Sequence, residues 1–448
     1  MRRIVVIGGG AAGASAAARA RRLDPEAEVL LIEKTDMITH APCGIPYAVE
    51  GLVKSREDLV TYTPEEFERE RKIRVLINTE VVDIDPDKKK VSVKKGDSIE
   101  EISWDKLVLA TGAIPATPKV PGIDLRDVIT IRHPAETDFI KRSLEDKKII
   151  GIIGGGYIGI EMAEALLRLG KKVIMIEMTD QVLPTTIDKD LAEIISKYMI
   201  EKGIDLRLSE RLIEIRGKER VEKIVTDKNE YKVDAVIIAT GVRPNTYLTE
   251  KIGIKRGVTG AVEVNEFMET NIEDIYAAGD LVEKYHKILK KKVWIPLAPA
   301  ANKEGQVAGA NAAKGRILRF PGVVGTATTK FEDLYIARTG VSEKEAVENN
   351  IKYEAKTIRA RTKAHYYPGG VEVYIKMLIE ENSKRIIGAQ AVGRDPVVIS
   401  YIDIMSIVIE REMNIEDLFF SDLSYMPATA PVWHPLIVAA RVLSKGFL

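Results

Sequence analysis

The chain has 448 residues, of which 45% are hydrophobic, and its 67 basic residues balance its 67 acidic ones. This length predicts two or three domains, and a formal net charge of zero argues against a nucleic-acid binder. No apolar run approaches the length that crosses a bilayer. The N-terminal apolar run is too short for a signal peptide and predicts a first β-strand, so we expect a cytoplasmic protein.

Two segments share the order strand, glycine turn, helix, strand. Their predicted bounds are 3–7, 11–23 and 28–33 in the first segment and 148–153, 157–169 and 172–177 in the second. Two such units in one chain indicate two nucleotide-binding domains. Alternating apolar stretches at 91–93 and 231–238 predict strands of accessory sheets.

The chain from about residue 325 onward carries no glycine fingerprint. Strands are predicted at 371–378 and 385–392, followed by an apolar helix around 398–410 and a terminal helix. This change of pattern predicts a separate C-terminal domain.

The first glycine turn, GGGAAG at 8–13, fits the pattern GxGxxG between a strand and a helix. Its glycines allow a tight turn, close approach of a pyrophosphate and close helix–strand packing. An acidic residue, Glu33, ends the next strand, where it can accept hydrogen bonds from ribose hydroxyls. The residues predicted to bind this dinucleotide are Gly8, Gly10, Ala11, Ala12, Gly13, Glu33 and Lys34.

The second turn, GGGYIG at 154–159, follows the same rule, and Glu177 ends its second strand. A glutamate there suits the free 2′-hydroxyl of NADH, and no arginine follows it to hold a 2′-phosphate. We therefore expect NADH to serve at least as well as NADPH, although Lys171 and Lys172 lie nearby in sequence. The residues predicted to bind this nucleotide are Gly154, Gly156, Ile158, Gly159 and Glu177.

Three further segments, LVLATGAIP at 107–115, VIIATGVRPN at 236–245 and IYAAGD at 275–280, resemble motifs of the pyridine nucleotide–disulfide oxidoreductase flavoproteins. The resemblance implies FAD at the first turn and NADH or NADPH at the second. It also implies that Asp280 contacts the ribityl or pyrophosphate part of FAD. Thr111, Gly112 and Gly241, from the two ATG segments, complete the predicted cofactor-binding residues.

The fold class implied by this resemblance is α/β, with two Rossmann-like dinucleotide-binding domains, for FAD and for NAD, plus a C-terminal α+β dimerisation domain. We predict an FAD-binding domain from 1–115 and 272–324 and an NAD(P)H-binding domain from 116–271. The dimerisation domain is predicted at 325–448.

Cys43 is the only cysteine of the chain, which excludes an internal disulfide, and we predict no metal site. A lone cysteine is usually a small buried residue, but the segment CGIPY at 43–47 resembles the CGxPY motif of coenzyme A–disulfide reductases. The preceding ITHAP departs from the usual pattern of that group. Peroxidases and oxidases of the same branch carry a histidine where this chain has Ala11. These features favour a mixed disulfide between Cys43 and coenzyme A.

Two C-terminal segments, YYP at 366–368 and FSDLSY at 420–425, resemble the tyrosine-bearing stretches of that group. In a homodimer they imply that Tyr367 and Tyr425 reach the mixed disulfide of the partner subunit, and whether Tyr366 or Tyr367 points inward stays open. His434 is interpreted as structural. The residues predicted to contact coenzyme A, several of them basic because its phosphates need cations, are Arg19, Arg22, Thr39, His40, Pro42, Arg71 and Lys303.

The sequence therefore predicts an NAD(P)H oxidoreductase that reduces coenzyme A disulfide through FAD and Cys43, with polysulfide and sulfur as further candidate acceptors. One alternative is an NADH oxidase or peroxidase that uses a Cys43 sulfenate or a direct reaction of flavin with oxygen. An alternative of another class is a non-catalytic flavin redox sensor. The sequence leaves the physiological acceptor open.

Overall fold

The computed structural model describes residues 1–446, so the last two residues of the predicted C-terminal domain lie outside the described part. The fold is α/β, as predicted. Within the described residues the α-helices, in chain order, are α1 Ala11–Leu23, α2 Ile45–Glu50, α3 Pro64–Arg71, α4 Thr137–Leu144, α5 Tyr157–Arg168, α6 Lys189–Glu201, α7 Tyr247–Lys251, α8 Ala298–Lys314, α9 Glu343–Glu348, α10 Val397–Glu410, α11 Ile415–Phe419 and α12 Pro435–Leu443.

The first parallel sheet has five strands, and its order places the N-terminal strand at the centre. From edge to edge the strands are Ile275–Ala277, Lys106–Leu109, Arg3–Ile7, Glu28–Ile32 and Arg74–Leu76. The central strand is almost wholly apolar and buried, which is typical of a parallel sheet covered on both faces. Strands from widely separated parts of the chain therefore meet beside the first glycine turn.

The second parallel sheet repeats this arrangement with five strands. From edge to edge they are Asp205–Leu208, Lys172–Glu177, Ile149–Ile153, Ala235–Ile238 and Val128–Thr130. Its central strand ends at the second glycine turn, just as the central strand of the first sheet ends at the first. The two turns therefore lie at the carboxyl ends of their sheets, where α/β folds bind ligands.

Smaller antiparallel sheets accompany the two parallel ones. They comprise the three-stranded sheets Glu80–Asp85, Lys90–Lys95, Ser98–Ser103 and Leu212–Arg216, Lys223–Thr226, Glu230–Lys232, and the pairs Ala113–Pro115 with Val242–Pro244 and Lys284–His286 with Lys291–Val293. The pair of Ala113–Pro115 with Val242–Pro244 joins the two ATG segments. It thus links the connection out of the first parallel sheet to the connection out of the second.

The C-terminal sheet is antiparallel and five-stranded. Its order is Ala327–Phe331, Leu334–Gly340, Ile386–Gly393, Glu372–Glu380 and Tyr353–Arg361. Helix α10 packs on it through residues spaced three and four apart, among them Tyr401, Ile402 and Met405, which are buried. His434 caps α12 by accepting the Leu436 N–H at 3.3 Å, in agreement with a structural role.

The fold confirms the two βαβ units and shifts several of their ends by one residue, as helix and strand ends commonly do. One strand prediction was wrong. Residues 231–238 were assigned to accessory sheets, but only Glu230–Lys232 lies in one, while Ala235–Ile238 is a buried strand of the second parallel sheet. The break falls at Asp234, whose carboxylate accepts the N–H groups of Lys148 and Ile149 and so starts a new strand.

Candidate active site

The first glycine turn is shaped by close backbone contacts. Gly8 has a φ of +104°, and a Cβ there would lie 2.3 Å from the Ala110 carbonyl oxygen. A Cβ on Gly13 would lie 1.8 Å from the Gly8 carbonyl oxygen. Only glycine fits both positions, which brings the start of α1 directly against the end of the first strand.

The mouth of this turn fits a dinucleotide pyrophosphate. Gly10 caps α1 without any side-chain hydrogen bond, so the first N–H groups of the helix are available to a ligand. A Cβ on Gly10 would meet only the His40 ring, at 3.7 Å. Ala11 and Ala12 follow as small residues on the first helical turn, and Ala12 is buried.

Glu33 is buried and stabilises the first glycine turn through hydrogen bonds. Its carboxylate accepts the Gly9 N–H at 2.8 Å, the Thr35 N–H at 2.8 Å and the Thr35 hydroxyl at 2.9 Å. A carboxylate has lone pairs beyond these three bonds, so it can still accept from a ribose hydroxyl. The neighbouring Lys34 is exposed.

The second turn repeats these contacts. Gly154 has a φ of +108°, and a Cβ there would lie 2.4 Å from the Ala239 carbonyl oxygen. A Cβ on Gly159 would lie 2.1 Å from the Gly154 carbonyl oxygen. Glu177 accepts the Gly155 N–H at 2.8 Å and both donors of Thr179, at 2.8 and 2.9 Å.

The space in front of the second turn is open. Within 4 Å of a Cβ built on Gly156 or Gly241 there is no described atom. Gly241 has a φ of +97°, and Ile158 is partly buried on the first turn of α5. A second dinucleotide therefore has room here, and α5 presents its first N–H groups to that space.

Thr111 and Gly112 connect the two cofactor regions. The Thr111 hydroxyl donates to the Asn245 carbonyl at 3.0 Å, and the Asn245 N–H donates to the Gly112 carbonyl at 2.9 Å. Both residues follow a strand of the first sheet, whereas Asn245 belongs to the motif that follows the second. Their predicted role in FAD binding thus coincides with a junction between the two sheets.

Asp280 lies in the turn Gly279–Leu281 and has two partners that sequence reasoning missed. Its carboxylate accepts from the Arg132 guanidinium at 3.0 Å, and its carbonyl accepts from the Trp294 indole at 2.8 Å. Arg132 also donates to the Ala113 carbonyl at 2.8 Å. No motif marks Arg132 or Trp294, so the sequence offered no signal beyond their residue types.

Cys43 is the middle residue of a 3-10 turn, Pro42–Gly44, that leads into α2. The residue is open to solvent on one side. Burial of the thiol itself, followed by the negative charges of Glu161 and Asp280, raises the pKa of Cys43, while Arg132 opposes the shift. The same residues thus connect Cys43 to the Asp280 turn of the FAD region and to helix α5 of the NAD region.

Glu161 is a third residue that sequence reasoning missed, on α5 two positions after the last glycine of its turn. It accepts from the Thr329 hydroxyl at 2.8 Å, and burial raises its pKa. Tyr47, one turn along α2 from Cys43, has its pKa raised to about 12 by burial and then by Glu161 and neighbouring carboxylates. Helices α2 and α5 pack together, which brings the helix that follows Cys43 against the helix that follows the second glycine turn.

The segment before Cys43 is tied to the first turn. The Thr39 N–H donates to the Gly9 carbonyl at 2.7 Å, and the Thr39 hydroxyl donates to the Tyr62 carbonyl at 2.9 Å. The His40 ring lies 4.2 Å from the His133 ring. Burial, then His133 and Arg132, lowers the pKa of His40 to about 3, so His40 is neutral at physiological pH. A neutral His40 brings no positive charge to the coenzyme A phosphates that it is predicted to contact.

The basic residues predicted to contact coenzyme A lie on helices α1, α3 and α8. Arg22 and Lys303 are exposed, and Arg19 is partly buried with an unpartnered Nε. Helices α1 and α8 pack side by side, so Arg19, Arg22 and Lys303 lie on neighbouring helices. Arg71 is engaged by Tyr62, donating to its hydroxyl at 2.8 Å and lying over its ring.

The predicted tyrosines lie on the exposed surface of the C-terminal domain. The Tyr425 hydroxyl is 3.1 Å from the Tyr366 hydroxyl, whereas Tyr367 lies beside the Lys363 ammonium group. The pairing makes Tyr366 a candidate alongside Tyr367. The roles of all three stay predictions, because they concern the partner subunit.

Comparisons with known proteins assign the chain to a family. Residues 2–305 match the pyridine nucleotide-disulphide oxidoreductase family, and residues 326–436 match its dimerisation domain. The chain belongs to this family. It is an NAD(P)H-dependent flavoprotein oxidoreductase, and the fit of both glycine turns to dinucleotides agrees with the FAD and NAD(P)H that the family implies.

Three individual proteins show which members of the family this chain is similar to. An NAD(P)H coenzyme A polysulfide/persulfide reductase of Pyrococcus horikoshii is 46% identical over 444 residues, covering 99% of this chain and 98% of its own. An NADH oxidase of Methanocaldococcus jannaschii is 41% identical over 442 residues, covering 98% of each chain. The solved structure of an NAD-dependent persulfide reductase from A. fulgidus has a TM-score of 0.95 at 38% identity, covering 99% of this chain and 83% of that one. The predicted likeness to coenzyme A-dependent sulfur reductases is therefore confirmed.

The described residues contain neither a helix that could span a membrane nor a cluster of side chains that could hold a metal ion. None of the helices within residues 1–446 is long and apolar enough to span a membrane. Over the same part of the chain, no group of three or more histidine, cysteine and acidic side chains is arranged to hold a metal ion.

Proposed function

We propose that this protein is a homodimeric coenzyme A-disulfide and persulfide reductase in which Cys43 forms a mixed disulfide with coenzyme A. The observation that carries the proposal is the place of Cys43, the only sulfur nucleophile of the chain. It is open to solvent and electrostatically coupled to Asp280 of the first cofactor region and Glu161 of the second. A thiol between two dinucleotide turns can receive electrons from one side and a substrate from the other.

Bound NAD(P)H and FAD supply the reducing electron pair when both are present. Two electrons and one proton then convert the mixed disulfide of Cys43 into a Cys43 thiolate and free coenzyme A thiol. The thiolate attacks an incoming coenzyme A disulfide, re-forms the mixed disulfide and expels a second coenzyme A thiolate, which takes up a proton. One protein sulfur suffices, because the ligand provides the other.

The raised pKa of Cys43 belongs to the reduced enzyme, in which burial first and then the neighbouring carboxylates favour the protonated thiol. A mixed disulfide carries no thiol proton, so the shift acts only on the reduced, ligand-free form. In that form the neighbouring carboxylates disfavour the thiolate, which is the oxidisable species. Arg132 is the cation that opposes them, and we assign to it the stabilisation of the Cys43 thiolate during exchange.

Coenzyme A binding is proposed for the exposed side of Cys43. The name of the Pyrococcus horikoshii relative supports a coenzyme A-dependent reaction. Arg19, Arg22 and Lys303 are free to pair with phosphates, and Thr39, His40 and Pro42 form the approach to the sulfur. Arg71 would have to leave Tyr62 to take part.

A homodimer completes the site in this proposal. The match to a dimerisation domain supports it, and so do exposed aromatic residues of the C-terminal domain. Phe420, Trp433 and Tyr425 are 71%, 51% and 47% exposed in the single chain. Such residues are enriched at interfaces. We propose that Tyr425 and either Tyr366 or Tyr367 reach Cys43 of the partner subunit and donate to the leaving thiolate.

The domain bounds are proposed as 1–115 with 272–324 for FAD, 116–271 for NAD(P)H and 325–448 for dimerisation. Each parallel sheet supports this division. The first takes Ile275–Ala277 next to Lys106–Leu109, and the strands of the second all fall within 116–271. The cofactor contacts predicted for the two turns follow the same division, with Asp280 and Lys34 on the FAD side and Gly241 on the NAD side.

An NADH oxidase is the second candidate function, because the Methanocaldococcus jannaschii relative bears that name. Against it stands Ala11, which leaves the first turn without the histidine that aids oxygen and peroxide chemistry in that branch. General acid–base groups commonly contribute about 10²–10⁴-fold to such steps. We therefore rank disulfide and persulfide above oxygen as acceptors.

The mass of the intact protein, measured before and after reduction, tests the mixed disulfide directly. We expect a loss equal to one coenzyme A per chain, and no such loss in Cys43→Ser. Steady-state assays with coenzyme A disulfide, polysulfide and oxygen then rank the acceptors. Oxygen consumption that persists undiminished in Cys43→Ser, together with negligible thiol release from the parent enzyme, would favour the oxidase.

A further inference from the structure

Glu304 and Lys284 form an ion pair with no exposed surface. Both side chains are 0% exposed, and a Glu304 carboxylate oxygen lies 3.2 Å from Lys284 Nζ. Burial raises the pKa of Glu304 to about 7, and Lys284 opposes the shift. Removing two charges from water is costly, and apolar residues of similar size often serve stability as well. The pair therefore calls for an explanation other than stability.

The hydrogen bonds of the pair converge on one residue, Gly279, and its near neighbour Val282. Glu304 accepts the Gly279 N–H at 2.9 Å, and Lys284 donates to the Gly279 carbonyl at 3.0 Å and to the Val282 carbonyl at 3.4 Å. Gly279 has a φ of +83°. Both polar groups of this glycine are thus held by buried charges, and the next residue is Asp280.

The same region is fixed against the first glycine turn. A Cβ on Gly279 would lie 2.8 Å from the Ala12 Cβ, and a Cβ on Gly305 would lie 2.2 Å from the Ala12 carbonyl oxygen. Glu304 precedes Gly305 on α8, so the helix that carries the carboxylate rests directly on the turn. Ala12, Gly279 and α8 therefore form one rigid contact, and the ion pair locks the Asp280 turn into it.

We propose that Glu304 and Lys284 are positioning residues, a clamp on the Gly279 peptide that fixes the Asp280 carboxylate for FAD binding. The inference rests on the proposed contact between Asp280 and FAD. The clamp holds the turn in place before FAD binds. The free energy of FAD binding therefore does not include the entropy cost of ordering the turn. Asp280 retains Arg132 and Trp294 as partners on its other side.

The decisive variant replaces both charges by apolar residues of similar size, Glu304→Leu with Lys284→Met. Such replacements of buried ion pairs are often neutral for stability. This one also leaves the Gly279 N–H and carbonyl without partners, so we expect an unfolding midpoint somewhat below that of the parent, with the protein still folded at the temperature of the titration. We expect the FAD dissociation constant of the apoprotein to rise about tenfold, since hydrogen bonds to charged groups are lost from the turn. Flavin fluorescence during titration of apoprotein measures it.

Hydrogen exchange of the peptide covering 275–283 tests positioning without any cofactor. We expect faster exchange in the double variant of the apoprotein than in the parent. The variant Glu304→Gln with Lys284→Met should recover part of the FAD affinity. The amide oxygen of its new glutamine can still accept the Gly279 N–H. For this variant we expect an FAD dissociation constant only about threefold above the parent. It also replaces the apolar variant in the comparison if that one does not fold.

A matched control removes another buried ion pair, Asp188→Leu with Lys376→Met, which lies between α6 and the C-terminal sheet. We expect its FAD affinity to stay within about twofold of the parent, since its partners lie away from Asp280. An equal loss of FAD affinity in the control and in the clamp variant would show that the Glu304–Lys284 pair acts only through overall stability. That result would overturn the proposal.

Asp280→Ala separates the clamp from the assignment on which it rests. If Asp280→Ala weakens FAD binding but neither clamp variant changes affinity or exchange, the clamp is wrong and the FAD contact stands. If Asp280→Ala leaves the affinity unchanged, the proposed FAD contact itself fails. Weakening in both, with faster exchange in the clamp variants, supports the inference.

Discussion

The two glycine turns are built alike and set in different surroundings. In each, the buried glutamate accepts the N–H of the second glycine at 2.8 Å and both donors of a threonine two residues later. In the first, Ala12 is covered by Gly279 and by α8. In the second, the residue that corresponds to Ala12 is Ile158, which is only partly buried, and the space before Gly156 and Gly241 is open.

This difference separates a closed cofactor region from an open one. The covered turn suits a cofactor that stays bound, because the surrounding residues are ordered before binding and the contact is extensive. The open turn suits a nucleotide that must leave after each turnover, because few contacts need to break. The same local sequence pattern thus serves two purposes, and the elements packed around it decide which.

Cys43→Ser should have the largest effect, since it removes the group that both regions serve. We expect reduction of coenzyme A disulfide to fall by at least about 10³-fold, because serine cannot form or exchange a disulfide. Reduction of the bound flavin by NADH, followed by stopped-flow absorbance, should keep its rate within a factor of about two, as this step does not need the thiol. A slow flavin reduction in the variant would mean that Cys43 shapes the cofactor region as well.

Gly8→Ala and Gly154→Ala break the two turns in the same way. Both positions have positive φ, and the new Cβ would lie 2.3 or 2.4 Å from a carbonyl oxygen. We expect Gly8→Ala to lose bound FAD, and Gly154→Ala to keep FAD while its KM for NADH rises about 10–100-fold. The flavin content of purified protein and steady-state KM values measure the two effects. Loss of FAD from both variants would contradict separate cofactor regions.

Glu177→Gln sharpens the same comparison with a smaller change. The amide removes the negative charge near the ribose, so we expect the KM for NADH to rise about tenfold and that for NADPH to change less. Flavin content should match the parent, whereas the corresponding Glu33→Gln should weaken FAD instead. A parallel rise in both KM values would show that Glu177 supports only the turn, through Gly155 and Thr179.

What the sequence predicted well is local in the chain. Each glycine turn, with its strand, helix and terminal glutamate, lies within one continuous segment, 3–33 or 149–177. The spacing of the glycines predicts the close backbone contacts seen at Gly8 and Gly154. The fold class followed from the repetition of this unit. The prediction for residues 231–238 was wrong because this stretch belongs to two strands, Glu230–Lys232 and the continuously buried Ala235–Ile238. Only a bend at Asp234 separates them.

What the sequence did not predict depends on contacts between distant segments. Arg132 meets Asp280 across 148 positions, and Glu304 meets the Gly279 peptide across 25. An arginine in IRHP or a glutamate in ANKEG carries no mark of burial, since both residue types are usually exposed. The pairing of Tyr425 with Tyr366 likewise depends on how two loops fold together.

The thiol of Cys43 should titrate at lower pH when Glu161 loses its charge. Burial raises the pKa of Cys43 first, and the Glu161 carboxylate adds to the shift, so Glu161→Gln should favour the thiolate. The effect requires an ionised Glu161, whose own pKa is raised by burial, and it should therefore fade at acidic pH.

In reduced, coenzyme A-free enzyme, the rate of Cys43 alkylation as a function of pH measures the midpoint of the thiol titration. Glu164→Gln, one turn further along α5, is the matched control, because Glu164 pairs with Arg168 and Lys330 and is not among the main charges that shift the pKa of the thiol. A midpoint that moves upward in Glu161→Gln, or moves equally in Glu164→Gln, would show that α5 affects Cys43 through packing rather than charge, and the coupling between the open cofactor region and the sulfur would then be steric.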